Sequence, residues 1–160
     1  VSAEEALTLR PAELADAELL RRWRNEASTR AQSFDTDHVA PDDHLRWLRQ
    51  RLADVVATRI WIGEVDGEPV GQVRVVRIGE DLGEISVSVD TAARGRGLGA
   101  SIIAAGTARA AVELALTSVD ATVKGSNGAS LAAFRSAGYL DSRGAEYDGE
   151  PVVVLRWTVQ

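Results

Sequence analysis

The sequence predicts an α/β fold with a mixed central sheet flanked by helices, spanning residues 1–160 as a single domain. Three observations support this. The hydrophobic period switches repeatedly between the helical value and the strand value of two. The resulting element order is β-α-α-β-β-β-α-β-α-β-β, in which helices cover a sheet rather than one another. A length of 160 residues suits one domain, and no linker, repeat or low-complexity block interrupts it.

The elements follow in order. Leu7 to Arg10 reads as a short strand stopped by Pro11. Asp16 stands where an N-cap belongs for a helix running to about Thr29, with Leu19, Leu20, Trp23 and Ala27 at helical spacing. Pro41 suits the first turn of a second helix. Asp42 and Asp43 sit at its positive end, and Leu45, Leu48 and Leu52 form its apolar stripe. The period then drops to two. Ile60 and Ile62 lead through Val65 into Asp66-Gly67, a hairpin signal, and Val73 and Val75 mark the next strand. In the fourth strand Ile85, Val87 and Val89 alternate with Glu84, Ser86 and Ser88. A polar row on a central strand must find partners, so this face is expected to line something polar. After a glycine-rich loop, an Ala-rich helix runs from about Leu98 to Leu114. Val119, Ala121 and Val123 form a fifth strand, and residues 129–137 a short helix ended by Gly138. Strands near 139–146 and 151–159 meet at Asp148-Gly149.

Composition excludes several chemistries. There is no cysteine, which removes disulfides, thiol catalysis and cysteine metal sites and fits a reducing, cytoplasmic compartment. His38 and His44 are the only histidines, so no metal centre is expected. The net charge of −6 argues against nucleic-acid partners, and no apolar run is long enough to span a bilayer. Methionine is absent even at position 1, which fits a processed or excised chain.

The segment that carries chemistry is Arg94-Gly95-Arg96-Gly97-Leu98-Gly99-Ala100, between a strand and a helix. Glycines let the backbone approach a ligand, and a helix start offers unpaired N–H groups, so the pair makes a phosphate cradle. A Walker loop would need a Lys that is missing. A Rossmann fingerprint would need Gly-x-Gly-x-x-Gly in an early βαβ unit. The remaining pattern is Arg/Gln-x-x-Gly-x-Gly/Ala, which Arg94, Gly97 and Gly99 fit. Downstream, Asn127, Ser130, Ala133, Phe134, Gly138 and Tyr139 keep the spacing of a second motif.

Together these motifs resemble the GNAT superfamily of acyl-CoA N-acyltransferases, over nearly the whole chain. The resemblance implies a mostly antiparallel GNAT-like sheet and direct transfer of an acetyl group from acetyl-CoA to a primary amine. It implies that Arg94, Gly95, Arg96, Gly97, Leu98, Gly99 and Ala100 hold the CoA pyrophosphate. It also implies that Val87, Ser88 and Val89 pair with the pantetheine arm, joined by Asn127, Ser130 and Phe134. Glu84 is the base the resemblance suggests, acting through water with a pKa that burial would raise, or a group that orients the amine; the plainer reading is a strand-edge glutamate in solvent beside Gly83. Phe134 stands where the family commonly has a Tyr that protonates the thiolate, so a water, Ser130 or a displaced Tyr does this here, or no acid is required. Tyr139 takes the family's packing Phe position and is expected to be structural.

Trp23-Arg24-Asn25, Arg30 and His44-x-x-Trp47 resemble one branch in particular, the N-acetyltransferases of pseudaminic-acid biosynthesis, which act on UDP-linked amino sugars. That implies acceptor contacts from Trp23, Arg24, Asn25 and Arg30. Plainer readings stand beside it: Trp23 as core, Arg24 and Arg30 as solvated charges, His44 as a structural or rim residue. A protein N-terminal or small-amine acetyltransferase, and a CoA-binding domain without turnover, are the alternative functions. The last strands are open to pairing in a homodimer.

Overall fold

The computed structural model describes residues 7–34 and 37–160, without the side chains of Ala27, Ser28 and Arg30. Among the described residues, seven strands form one sheet in the order β1-β2-β3-β4-β5-β7-β6. They are β1 (Leu7–Pro11), β2 (Thr58–Val65), β3 (Glu68–Arg77), β4 (Leu82–Val89), β5 (Ser118–Lys124), β6 (Leu140–Tyr147) and β7 (Glu150–Thr158). All neighbours are antiparallel except β4 and β5. The helices are α1 (Ala17–Asn25), α2 (Ala27–Gln32), α3 (Pro41–Ala53), α4 (Leu98–Glu113) and α5 (Gly128–Ser136). The mixed, mostly antiparallel sheet with flanking helices is as expected.

The two Asp-Gly hairpins turn as their sequences demand. Asp66-Gly67 and Asp148-Gly149 each place two successive residues at positive φ, the type I′ geometry that matches strand twist. The first helix differs from expectation. It breaks at Glu26, whose ψ of 135° is extended, and resumes as the six-residue α2. Asp16 occupies the boundary position, but its carboxylate does not cap α1. It accepts from the Glu13 N–H (2.8 Å) and from Arg10 (2.8 and 2.9 Å), closing the preceding 3-10 turn. That guanidinium, more than anything else, holds the Asp16 pKa below its ordinary value.

The sheet buries a different cluster on each face. On one side Trp61, Val73, Val75 and Ile85 pack against Ile102 and Ile103 of α4. On the other, Ile60 and Ile62 meet Leu20 and Trp23 of α1 and Leu48 of α3. Gly106 explains how closely α4 approaches: a Cβ there would stand 2.8 Å from two Val73 carbons. This close seat fixes where the N-terminus of α4 opens, at the end of β4.

Candidate active site

The parallel pairing of β4 and β5 ends early. Only Leu82, Gly83 and Glu84 face partners, ending at the pair Glu84 and Asp120, although both strands continue beyond. From Ile85 onward the β4 edge therefore turns unpaired backbone groups toward a gap. Backbone N–H and C=O groups near the core need partners, so this edge is suited to pairing with an extended ligand.

The gap opens into a cavity of about 1110 Å³. The N-terminus of α4 forms one wall. Gly97 caps it with φ of 74°, and the first intrahelical bond runs from Ser101 N to Gly97 O, so the N–H groups of Leu98, Gly99 and Ala100 have no helical acceptor. These groups and the helix dipole suit an anion. Gly95 (φ 79°) and Gly97 leave open space where a Cβ would stand. Arg94 lines the same wall, its guanidinium donating to Val89 O (3.1 Å) and Thr29 Oγ1 (3.2 Å).

The expected donor-side residues largely gather here. Val87, Ser88 and Val89 line the cavity, as do Arg94, Gly95 and Gly97. Leu98, Gly99, Ala100, Asn127, Ser130 and Phe134 do the same. Asn127 has a second duty: its Oδ1 accepts from Ser130 N (3.2 Å) and caps α5. Arg96 is a correction. It lies between two glycines at positive φ and lines a separate groove with Arg22 and Asp90, away from the cavity. Phe134 is buried edge-on against Tyr139, with ring centroids 5.1 Å apart. The Tyr139 hydroxyl is buried against Thr107 Oγ1 (2.7 Å), and burial drives its pKa up, so it stays a structural phenol.

The other end of the cavity lies on the polar face of β3 and β4. Gln72 donates to Ser88 Oγ (3.0 Å) and Arg74 to Ser86 Oγ (3.3 Å). The Ser86–Ser88 row expected to line something polar does so. Leu20 and Arg24 of α1 and His44 and Trp47 of α3 complete this chamber. His44 is buried, its Nδ1 has no hydrogen-bond partner, and its ring lies 5.5 Å from that of Trp47. Burial first, then the Arg21 charge, lowers its pKa, so the imidazole is neutral at pH 7.

Two acceptor-side expectations and the expected burial of the base require correction. Trp23 is core, 1% exposed, and its Nε1 donates to Asp90 Oδ2 (2.7 Å) instead of facing the cavity. Asn25 is consumed by the backbone of Val39, donating to its O (2.9 Å) and accepting from its N (2.8 Å). Glu84 is exposed, not buried, and is not a wall of the cavity; it sits where β4 is still paired to β5. Arg24 does line the chamber, whereas the Arg30 side chain lies outside the described residues. Arg74 and Gln72 were missed. Their signal was present: they alternate with Val73 and Val75 on a central strand.

Comparison with known proteins agrees with this geometry. The family model described as "Acetyltransferase (GNAT) domain" matches residues 6–140. No curated protein matches the chain. Among solved structures, the spermidine N-acetyltransferase from Vibrio cholerae in complex with CoA and spermine superposes with a TM-score of 0.88. It is 16% identical, and the match covers 96% of each chain. The Salmonella typhimurium acetyltransferase that modifies the N-terminal serine of ribosomal protein L7/L12 gives 0.84 at 16% identity, covering 97% of this chain and 96% of that one. An aminoglycoside acetyltransferase in complex with coenzyme A and kanamycin gives 0.82 at 16% identity, over 95% and 94%. The split strands, the glycine-capped helix and the matched family model converge: the chain belongs to the GNAT family and is an acetyl-CoA-dependent N-acetyltransferase.

Proposed function

We propose that the acceptor is the primary amine of a nucleotide-linked amino sugar, acetylated by direct transfer in the cytoplasm. One observation carries this reading. In a chain of net charge −6, no described residue lining the cavity is Asp or Glu. Spermine and kanamycin, bound by two of the structural neighbours, are polycations, and such ligands need carboxylates. A phosphate-bearing acceptor needs the opposite, and Arg24 lies on the chamber wall.

Bound acetyl-CoA supplies a thioester as the acetyl donor. The α4 N–H groups and Arg94 hold its phosphates, and the free β4 edge at Val87–Val89 pairs with its arm and polarises the carbonyl. Asn127 contributes its remaining amide hydrogens, and Ser130 its hydroxyl, from the facing wall. The acceptor nitrogen bonds to the acetyl carbon as the carbon–sulfur bond breaks. The amine proton passes to His44, the neutral base on the chamber wall, and the sulfur leaves as thiolate. Its conjugate thiol has a pKa of about 8.5, so the acid that Phe134 cannot provide is dispensable. With no cysteine in the chain, no cysteinyl acyl-enzyme forms.

An acceptor panel tests this, with UDP-linked amino sugars, free amino sugars, N-terminal peptides and polyamines, reading released CoA. Preferred turnover of the nucleotide-linked sugar is expected. Preferred turnover of peptides or polyamines overturns the acceptor assignment and leaves acetyl transfer intact.

A further inference from the structure

Arg74 is set differently from the arginines of the sheet that carry ion pairs, and from Arg77 of its own strand, which donates to the carbonyls of Glu80 and Leu114. Arg10 pairs with Asp16 and Glu64, Arg59 with Glu113, and Arg156 with Asp120. Arg74, from the middle of β3, has Ile60 beside it on β2 and Ser86 on β4. Its guanidinium donates to the Ser86 hydroxyl and lies 5.0 Å from the Trp47 ring centroid. It makes no ion pair with any described residue. The other charges near it are mostly of its own sign. Arg51 stands 6.0 Å from the same Trp47 ring, and Arg24 reaches the chamber from α1. Among the described residues, the acidic group that favours the charged form of Arg74 is Glu84, and it is exposed. Burial, then Arg51 and Arg24, disfavours the charged form of this guanidinium. A half-buried cation among cations is costly, and the Ser86 hydroxyl and the Trp47 ring are the contacts that offset that cost.

We propose that Arg74, assisted by Arg24, forms an anion subsite in the acceptor chamber, so that the acceptor carries a phosphate or carboxylate as well as its amine. This rests on the acetyl-transfer reading and names the residues that would hold the acceptor's anionic group. Trp47 holds the guanidinium by a cation–π contact, and both residues line the cavity. Polycationic amines are repelled from the same chamber.

Calorimetric titration of the CoA-saturated protein tests this, using UDP as phosphate probe, succinate as carboxylate probe and spermine as cation. At least one anion is expected to bind with 1:1 stoichiometry. Arg74→Gln should weaken it about 10- to 100-fold, the range for lost charged hydrogen bonds, while Arg74→Lys retains part of the affinity and the Kd for CoA stays unchanged. Binding of UDP assigns a phosphate, and binding of succinate alone a carboxylate. Unliganded Arg74→Gln should also melt higher than the parent, by about 2–4 °C per kcal/mol of repulsion relieved. The proposal is overturned if no anion binds at about 10 mM, if Arg74→Gln leaves anion binding unchanged, if spermine binds tighter than both anions, or if the variant melts lower, which marks Arg74 as structural. Failure of CoA itself to bind would instead overturn the donor assignment, so the two failures are separate.

Discussion

The donor and acceptor ends of the cavity are made from different materials. The donor end is backbone: three helix-start N–H groups, a strand edge left open where β4 leaves β5, and glycines at positive φ that keep side chains out. The acceptor end is side chain: Arg24, His44, Trp47, Gln72 and Arg74, drawn from α1, α3 and β3. A backbone site accepts many substitutions as long as the turn survives. A side-chain site changes specificity with one residue. A family can therefore keep one donor while varying its acceptors, as the differing bound amines of the structural neighbours illustrate.

The largest expected effect breaks the donor end alone. Gly97→Val puts a β-branched residue at φ of 74° and a side chain in the open cradle. Acetyl-CoA at 100 times its Kd should raise the parent's stability by about 2.7 kcal/mol, or about 5–10 °C in Tm. In the variant that shift should vanish while the unliganded protein still melts cooperatively. A retained shift would remove the loop from the donor site.

The next effect isolates the acceptor end. His44→Gln should lower kcat by about 10²-fold, the usual scale for a lost general base, with little change in the acetyl-CoA Kd. It carries a pH signature in stability as well. The unfolded imidazole titrates near 6.5. The folded one titrates lower, so below about pH 6.5 the unfolded chain takes up a proton that the folded chain refuses. Parental stability should therefore be independent of this group above about pH 7 and fall as pH drops toward 5. The carboxylates of Asp16 and Asp90, whose pKa values are lowered, act only at still lower pH. Thermal melts between pH 5 and 8 should be flatter for His44→Gln. Equal slopes in both proteins would return His44 to a structural role.

A side-chain contact helps to join the two ends. The Trp23 indole donates to Asp90, which also accepts from Ala92 N at the start of the glycine loop, so α1 is tied to the donor cradle. Trp23→Phe preserves most of the buried ring and removes that bond. A loss of about 1–3 kcal/mol is expected, with acetyl-CoA affinity and acceptor KM both weakened. A stability loss with neither binding constant altered would show that the two ends are independent.

Legibility in the sequence follows the same division. The donor end could be read because its chemistry is local: Gly97, Leu98 and Gly99 sit at fixed spacing after an alternating strand. The hairpin turns at Asp66-Gly67 and Asp148-Gly149 were readable for the same reason. The acceptor end depends on which faces meet across elements far apart in the chain. Trp23 and Asn25 lie within one turn of Arg24, yet rotation about α1 sends Trp23 into the core and leaves Arg24 in the cavity. Asn25 is taken up by Val39, a backbone partner that no local pattern announces. Arg74 could be seen as a polar residue within β3. Its lack of an ion pair appears only once the neighbours are in place.

The smallest expected effect concerns Glu84. It precedes the split in the sheet, paired to Asp120 of β5 and Val76 of β3. Its side chain shares a face with Ser86 and Ser88 but stops in solvent outside the cavity. A carboxylate in that position acts on the chamber only through its field at Arg74, and solvent screens such a field strongly. Glu84→Gln should therefore change kcat by less than about twofold and acceptor KM only slightly, in a direction that tightens anion binding as Arg74 loses that opposing charge. A drop in kcat of tenfold or more, with the acidic limb of the pH–rate profile removed, would place the base at Glu84 after all, acting through water. That result would move the proton path from the α3 wall to the edge of the sheet.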